Sequence, residues 1–138
     1  MTINEAQDNI IADFEGLDDW LDKYQLIIDR GMAQKIDPQY KTPQHLIEGC
    51  QSKVWIHADY ADGKVTYQAE SNTEIAGGIA AMLVEILSGH TPREIMDADL
   101  YFIDRIGLKE HLSPTRSNGM LAMMKQMKLY AIAFNSVN

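Results

Sequence analysis

Ile3, Ala6, Ile10 and Phe14 recur at the spacing of one apolar helix face, and Gly16 interrupts the run. Asp18 can cap a second helix, on which Trp20, Leu21, Tyr24, Ile27 and Ile28 share one apolar face. Gly31 weakens the end of that helix, and "KIDPQYKTP" reads as a loop. From Val54 the period shortens to two. Val54, Ile56, Ala58 and Tyr60 alternate with Trp55, His57 and Asp59, the pattern of a half-buried strand. Asp62-Gly63 signals a tight turn, and Val65, Tyr67 and Ala69 alternate on the return strand. "QHLIE" supplies a third, short strand, which places Cys50 in a connection between strands beside Gly49, whose backbone is free to turn.

Ser71 to Glu74 has the spacing of a capping box and opens a helix running to about Ser88, with Gly89 as its stop. Thr91-Pro92-Arg93-Glu94 repeats the signature with proline at the first helical position. "DADLYFIDRIG" reads as a short helix and "SPTRSNG" as a polar turn. A last helix starts at Met120 and carries Met123, Met124 and Met127 as one stripe of adaptable core filler. Gly77 and Gly78 allow close helix packing and do not form a phosphate loop, since no Gly-Lys-Ser/Thr ending follows. The expected architecture is α+β, one domain over 1–138, with a small three-stranded antiparallel sheet and helices packed mainly on one face.

Composition adds limits. The chain has 138 residues, is 46% apolar and 23% charged, and contains one cysteine, so an internal disulfide is impossible and a reducing compartment is expected. The start is polar and acidic, unlike a secretory leader, and the apolar stretch "IAGGIAAMLVEIL" is too short for a membrane span and carries Glu85. A cytoplasmic location without membrane attachment is expected. The net charge of −8 argues against a nucleic-acid partner, which needs clustered Lys and Arg. The charge is polarised: residues 1–30 hold eight acids against Lys23 and Arg30, whereas residues 105–138 hold five cations against Glu110. Solvated helix faces account for this; a surface that steers a protein partner is the functional alternative.

His45, His57, His90 and His111 are scattered without ligand spacing, and one cysteine makes no zinc motif, so no metal is expected. Cys50 is the remaining candidate. Its neighbours Glu48, Gly49, Gln51 and Ser52 are polar or bare, unlike the company of a core thiol. His45 and His57 are the local groups that could favour a thiolate, but no orienting acid or oxyanion loop is visible. From the residues alone, a reactive and a structural Cys50 stay equally open, and sparse activating machinery suits a carrier better than an autonomous catalyst. A thiol redox sensor or a non-catalytic interaction module is the competing class, although a sensor usually keeps a resolving cysteine.

"GCQSKVWI", followed later by "HLSPTRSNG" and a terminal helix, resembles the SufE family of sulfur-acceptor proteins. The family pattern Gly-Cys-Gln-Ser-x-Val-Trp and the later Ser/Thr-Pro-x-Arg-x-x-Gly both match, as does the Trp-x-x-Lys-Tyr of Trp20 to Tyr24. "HTPREI" departs from it only in His90, where an apolar residue is more usual. The resemblance implies a fold like that of iron–sulfur scaffold proteins of the IscU kind. It implies that Cys50 accepts persulfide sulfur from a pyridoxal-phosphate (PLP)-dependent cysteine desulfurase of the SufS or CsdA kind and stimulates that enzyme. The sulfur then moves toward an iron–sulfur scaffold complex. Gly49, Gln51, Ser52 and Arg116 map to loop support or partner binding. PLP belongs to the partner, and no cofactor is implied for this chain. A persulfide carrier benefits from holding Cys50 inward until docking turns it out. Trp55 and His57 are expected to lie under the terminal helix or the partner, with neither catalytic.

Overall fold

The structure, a computed structural model, describes residues 1–47 and 52–136. Helix α1 (Ile3–Glu15) starts at a capping box in which Thr2 and Glu5 satisfy each other's backbone N–H, and it buries Ile3, Ala6, Ile10 and Phe14. Helix α2 (Trp20–Ala33) is capped by Asp19, whose carboxylate accepts from the Leu21 N–H, and not by Asp18. Leu21 points outward, 74% exposed, while Ile27 is fully buried, so Leu21 does not share the buried face expected of it. Gly31 does not end α2. It lies where α2 crosses α3 (Glu74–Leu87), and a Cβ on it would stand 2.6 Å from the Gly78 nitrogen. Arg30 reaches across this crossing to both Asp13 and Glu85, tying three helices together.

Strands β1 (Val54–Ala61) and β2 (Lys64–Ser71) pair antiparallel, with Ile56 opposite Ala69 and Ala58 opposite Tyr67. Asp62 and Gly63 close the hairpin with φ of 56° and 78°, the left-handed pair that a two-residue turn requires. The sheet of the described residues has two strands, not three. Pro43–His45 forms a 3₁₀ turn, and only Leu46 reaches a strand, as one antiparallel bridge to Trp55. Proline in the Thr-Pro-Gln run fixes a turn conformation where the pattern predicts a third strand.

Val54, Ile56, Ala58, Val65, Tyr67 and Ala69 point to the core. Helix α3 packs on this face and is buried from Gly77 to Leu87 except at Glu85. After α4 (Pro92–Asp97), α5 (Phe102–Arg105) and α6 (Leu108–His111), α7 (Pro114–Asn135) closes the same face. Tyr67 donates to the Met127 carbonyl at 2.6 Å, and Tyr130 donates to the Ile56 carbonyl at 3.1 Å. Met120, Met123 and Met127 form the buried stripe, with Met124 beside it.

The last helix therefore starts six residues earlier than Met120, because Ser113 is its N-cap and Pro114 occupies the first turn. "SPTRSNG" is a helix start, and Arg116 lies in it. The outer face of the sheet is covered neither by the terminal helix nor left bare. The segment after α2 lies over it: Tyr40 stacks on His57 at 3.5 Å between ring centres, and Lys41 pairs with Glu70 at 2.7 Å. The Ile36 and Asp37 N–H groups donate to Glu70 and Gln68.

Candidate functional site

Gly49, Cys50 and Gln51 lie outside the described residues, so the inward placement of Cys50 is an expectation only. The residues on either side are fixed. The Ile47 N–H donates to the Val54 carbonyl at 2.9 Å, next to the Leu46–Trp55 bridge, which brings the two ends of segment 48–51 to one place on β1. On the far side Lys53 is held twice by Asn72: its N–H donates to Asn72 Oδ1 at 2.9 Å, and its carbonyl accepts from the Asn72 N–H at 3.1 Å. Ser71 Oγ donates to the same carbonyl at 2.8 Å.

These bonds explain a departure at the start of α3. Ser71 closes β2 and does not cap the helix; Thr73 holds the N-cap position, yet its side chain makes no capping bond. Its hydroxyl instead donates to Ser52 Oγ at 2.8 Å. A group that would satisfy the helix end is used to hold the residue two positions after Cys50.

Ser52 and Arg116, far apart in sequence, line one cleft of about 500 Å³ between the first turns of α3 and α7. Ile79 and Met123 are its buried apolar wall, and Thr73 and Ser113 add hydroxyls. Ser113 Oγ accepts from the Arg116 N–H at 3.3 Å, which sets the helix start and leaves the guanidinium exposed. Two helix N-termini and a guanidinium favour negative charge in this cleft, and Glu74, which also lines it, is the opposing charge. A thiolate or persulfide brought there would be stabilised relative to its protonated form.

One cluster was not visible in the sequence. His45 Nε2 and His57 Nδ1 are 3.0 Å apart, His57 Nε2 is 2.9 Å from Asp59 Oδ1, and His45 Nδ1 is 2.8 Å from Thr42 Oγ1. His57 and Asp59 share a face by strand alternation, which was a usable signal. His45 had none, because the Leu46 bridge delivers it to β1. Burial, and then the nearby His57, push the His45 pKa below its ordinary value. Among the described residues, no group of three or more His, Cys, Asp or Glu is placed to hold a metal ion, and no helix is long and apolar enough to cross a membrane.

Comparison with known proteins gives this geometry a lineage. The model of the SufE family, described as an Fe-S metabolism associated domain, matches residues 8–131. This chain belongs to the SufE family. A SufE-like protein of Rhizobium meliloti is 38% identical over 127 residues, covering 88% of this chain and 91% of its own. One from Synechocystis is 36% identical, covering 91% of this chain and 79% of its own. The chloroplastic/mitochondrial SufE-like protein 1 of Arabidopsis thaliana is 35% identical across 89% of this chain but only 34% of its own length. The solution structure of a hypothetical protein from Thermus thermophilus superposes with a TM-score of 0.75. It covers 93% of this chain and 94% of its own at 21% identity, a likeness of fold. Membership ties the chain to iron–sulfur metabolism.

Proposed function

We propose that this SufE-family chain is a sulfur acceptor that carries one sulfur atom on Cys50. The donor is a PLP-dependent cysteine desulfurase, and the recipient is an iron–sulfur assembly scaffold. The observation that supports this most is the convergence of Ser52 and Arg116 on one cleft beside the fixed ends of the segment holding the chain's single thiol. In the transfer step, the Cys50 thiolate attacks the outer sulfur of the donor's persulfide. A sulfur–sulfur bond forms to Cys50 as the donor's own sulfur–sulfur bond breaks, and the donor thiolate leaves with the electron pair. The donor is thereby freed for another cycle, and that is how the chain stimulates it. Passing the sulfur on repeats the exchange with the roles reversed.

A free cysteine has a pKa of about 8.5, so thiolate is the minor form at neutral pH. The positive first turns of α3 and α7 and Arg116 favour the anion once the thiol approaches them. Ser52, held by Thr73, and the motif residues Gly49 and Gln51 serve as loop support or partner contacts in this reading. The chain acts as co-substrate and activator rather than as an autonomous enzyme, and a reducing compartment such as the cytoplasm suits its lone thiol.

The test is alanine release by a candidate desulfurase supplied with cysteine. Wild-type chain raises the turnover and Cys50→Ser does not; equal stimulation by both would remove the carrier role.

A further inference from the structure

The Thr42–His45–His57–Asp59 array has a direction that donor and acceptor chemistry assigns. Asp59 carries an acceptor-only carboxylate, so His57 Nε2–H donates to it at 2.9 Å. In a neutral His57 the other nitrogen, Nδ1, is then bare and accepts, and the atom 3.0 Å away, His45 Nε2, must be the donor. Neutral His45 in turn has a bare Nδ1, which accepts the Thr42 hydroxyl hydrogen at 2.8 Å. All three bonds are made with both rings neutral.

One added proton can be absorbed without losing any of them. Taken from solvent and held on His57, beside the Asp59 carboxylate, it places hydrogen on both nitrogens of that ring. His57 Nδ1–H then donates to His45 Nε2, His45 moves its own hydrogen to Nδ1, and the Thr42 hydroxyl turns to accept it. The chain of bonds reverses. A second proton has no such solution, because two N–H groups would face each other at 3.0 Å between two cationic rings.

The surroundings do not rescue the doubly charged state. Tyr40, stacked on His57 and tilted against His45 at 5.3 Å, contributes no carboxylate. Across the hairpin, Gln68 and Thr66 oppose His57 and Asp59, and neither is charged. Glu70 on β2 is already paired with Lys41. Asp37 is turned to Gln39, accepting both its backbone and side-chain N–H.

We infer that this array is a positioning device, a clamp that accepts one proton but not two, holding the turn through His45 and Leu46 on β1. His45 ends the 3₁₀ turn two residues before Ile47, whose N–H bonds to the Val54 carbonyl. His45 and His57 are therefore positioning residues, and the attachment of Leu46 and Ile47 to β1 is released when both rings are charged. The clamp does not rest on the sulfur-acceptor reading. Burial and His57 lower the His45 pKa, as expected of a ring that folds neutral.

Two measurements on the protein alone, with no sulfur donor present, test it. In ¹⁵N spectra of the histidine rings, both His45 and His57 carry hydrogen on Nε2 at pH 8. His45 switches to the Nδ1–H form as His57 gains its second hydrogen. The second is amide exchange at Ile47, corrected for intrinsic rates. Opening releases a histidine with a free value of about 6.5, so protection falls about tenfold per pH unit below that, one proton per opening. His45→Gln, whose amide reaches the position of the imidazole Nε2 and can donate to or accept from His57 but cannot titrate, removes that slope and keeps the protection. Nδ1–H on His45 at pH 8, or an Ile47 protection whose pH dependence is the same in both proteins, overturns the clamp. Either failure leaves sulfur transfer to Cys50 untouched, and a failure of sulfur transfer leaves these readings standing.

Discussion

The backbone of α3 at Gly78 presses on the carbonyl of Ile27 in α2, so that a Cβ on Gly78 would stand 2.1 Å from that oxygen. The neighbouring Gly77 is different: its Cβ would meet only Ser71 Cβ, at an ordinary 3.8 Å. Gly78→Ala forces the two helices apart at the centre of the core and costs about 3 kcal/mol or more. Gly77→Ala is neutral or mildly stabilising, because a helical glycine is about 1 kcal/mol worse than alanine. Denaturant titration of both variants checks the pair; similar midpoints would contradict the close crossing.

Asn72 holds Lys53 from both sides, and its Oδ1 is the acceptor for the Lys53 N–H at 2.9 Å. Asn72→Ala loses that acceptor, worth about 1 kcal/mol. We expect alkylation of Cys50 by a small reagent to rise about fivefold, the factor that corresponds to such a loss. Unchanged labelling would mean that the Lys53 attachment does not govern the segment.

The apolar pattern made most of this fold legible. Helix α1, the hairpin with its Asp62-Gly63 turn, and the Met123–Met127 stripe follow from period and turn chemistry, whereas α3 lies where its start signature puts it but without the capping bonds. Two of the departures share one cause: side chains with local capping or loop chemistry bond to distant partners. Ser71 and Thr73 have capping chemistry, but Ser71 bonds to Lys53 and Thr73 to Ser52. The segment 34–47 has no periodicity, yet it covers the outer sheet face through Tyr40, Lys41 and backbone N–H groups, which no sequence window reveals. Ser52 and Arg116 were singled out by a family motif; their shared cleft depends on how α3 and α7 start.

Glu70 anchors that covering segment. Burial pushes its carboxyl up, but the Lys41 and Ile36 hydrogen bonds and the Lys41 charge outweigh this, and its pKa lies below the ordinary value. A lowered folded value means that its stabilisation is fully present above the unfolded carboxylate pKa of about 4.3. It is lost as pH falls below that value. Glu70→Gln therefore destabilises the protein at pH 7, and the gap to wild type narrows on acidification toward pH 3. A gap independent of pH would show that the carboxylate charge is immaterial there.

Arg116 offers a planar fork of donors at the cleft, and lysine would offer a single ammonium. Arg116→Lys keeps the charge and the Ser113 cap, which uses the backbone N–H. We expect melting to stay within about 2 °C of wild type, as for a surface change within about 0.5 kcal/mol. Sulfur acceptance should slow by about tenfold, the loss of one charge-assisted bond. Unchanged acceptance kinetics would remove Arg116 from the site.

Intact mass measurement of the chain after incubation with a cysteine desulfurase and cysteine tests the central claim most directly. The account predicts a gain of one sulfur atom, removed by a small thiol reductant and absent from Cys50→Ser. No added sulfur on the wild-type chain with any desulfurase that itself forms a persulfide, or the same gain on Cys50→Ser, would contradict it.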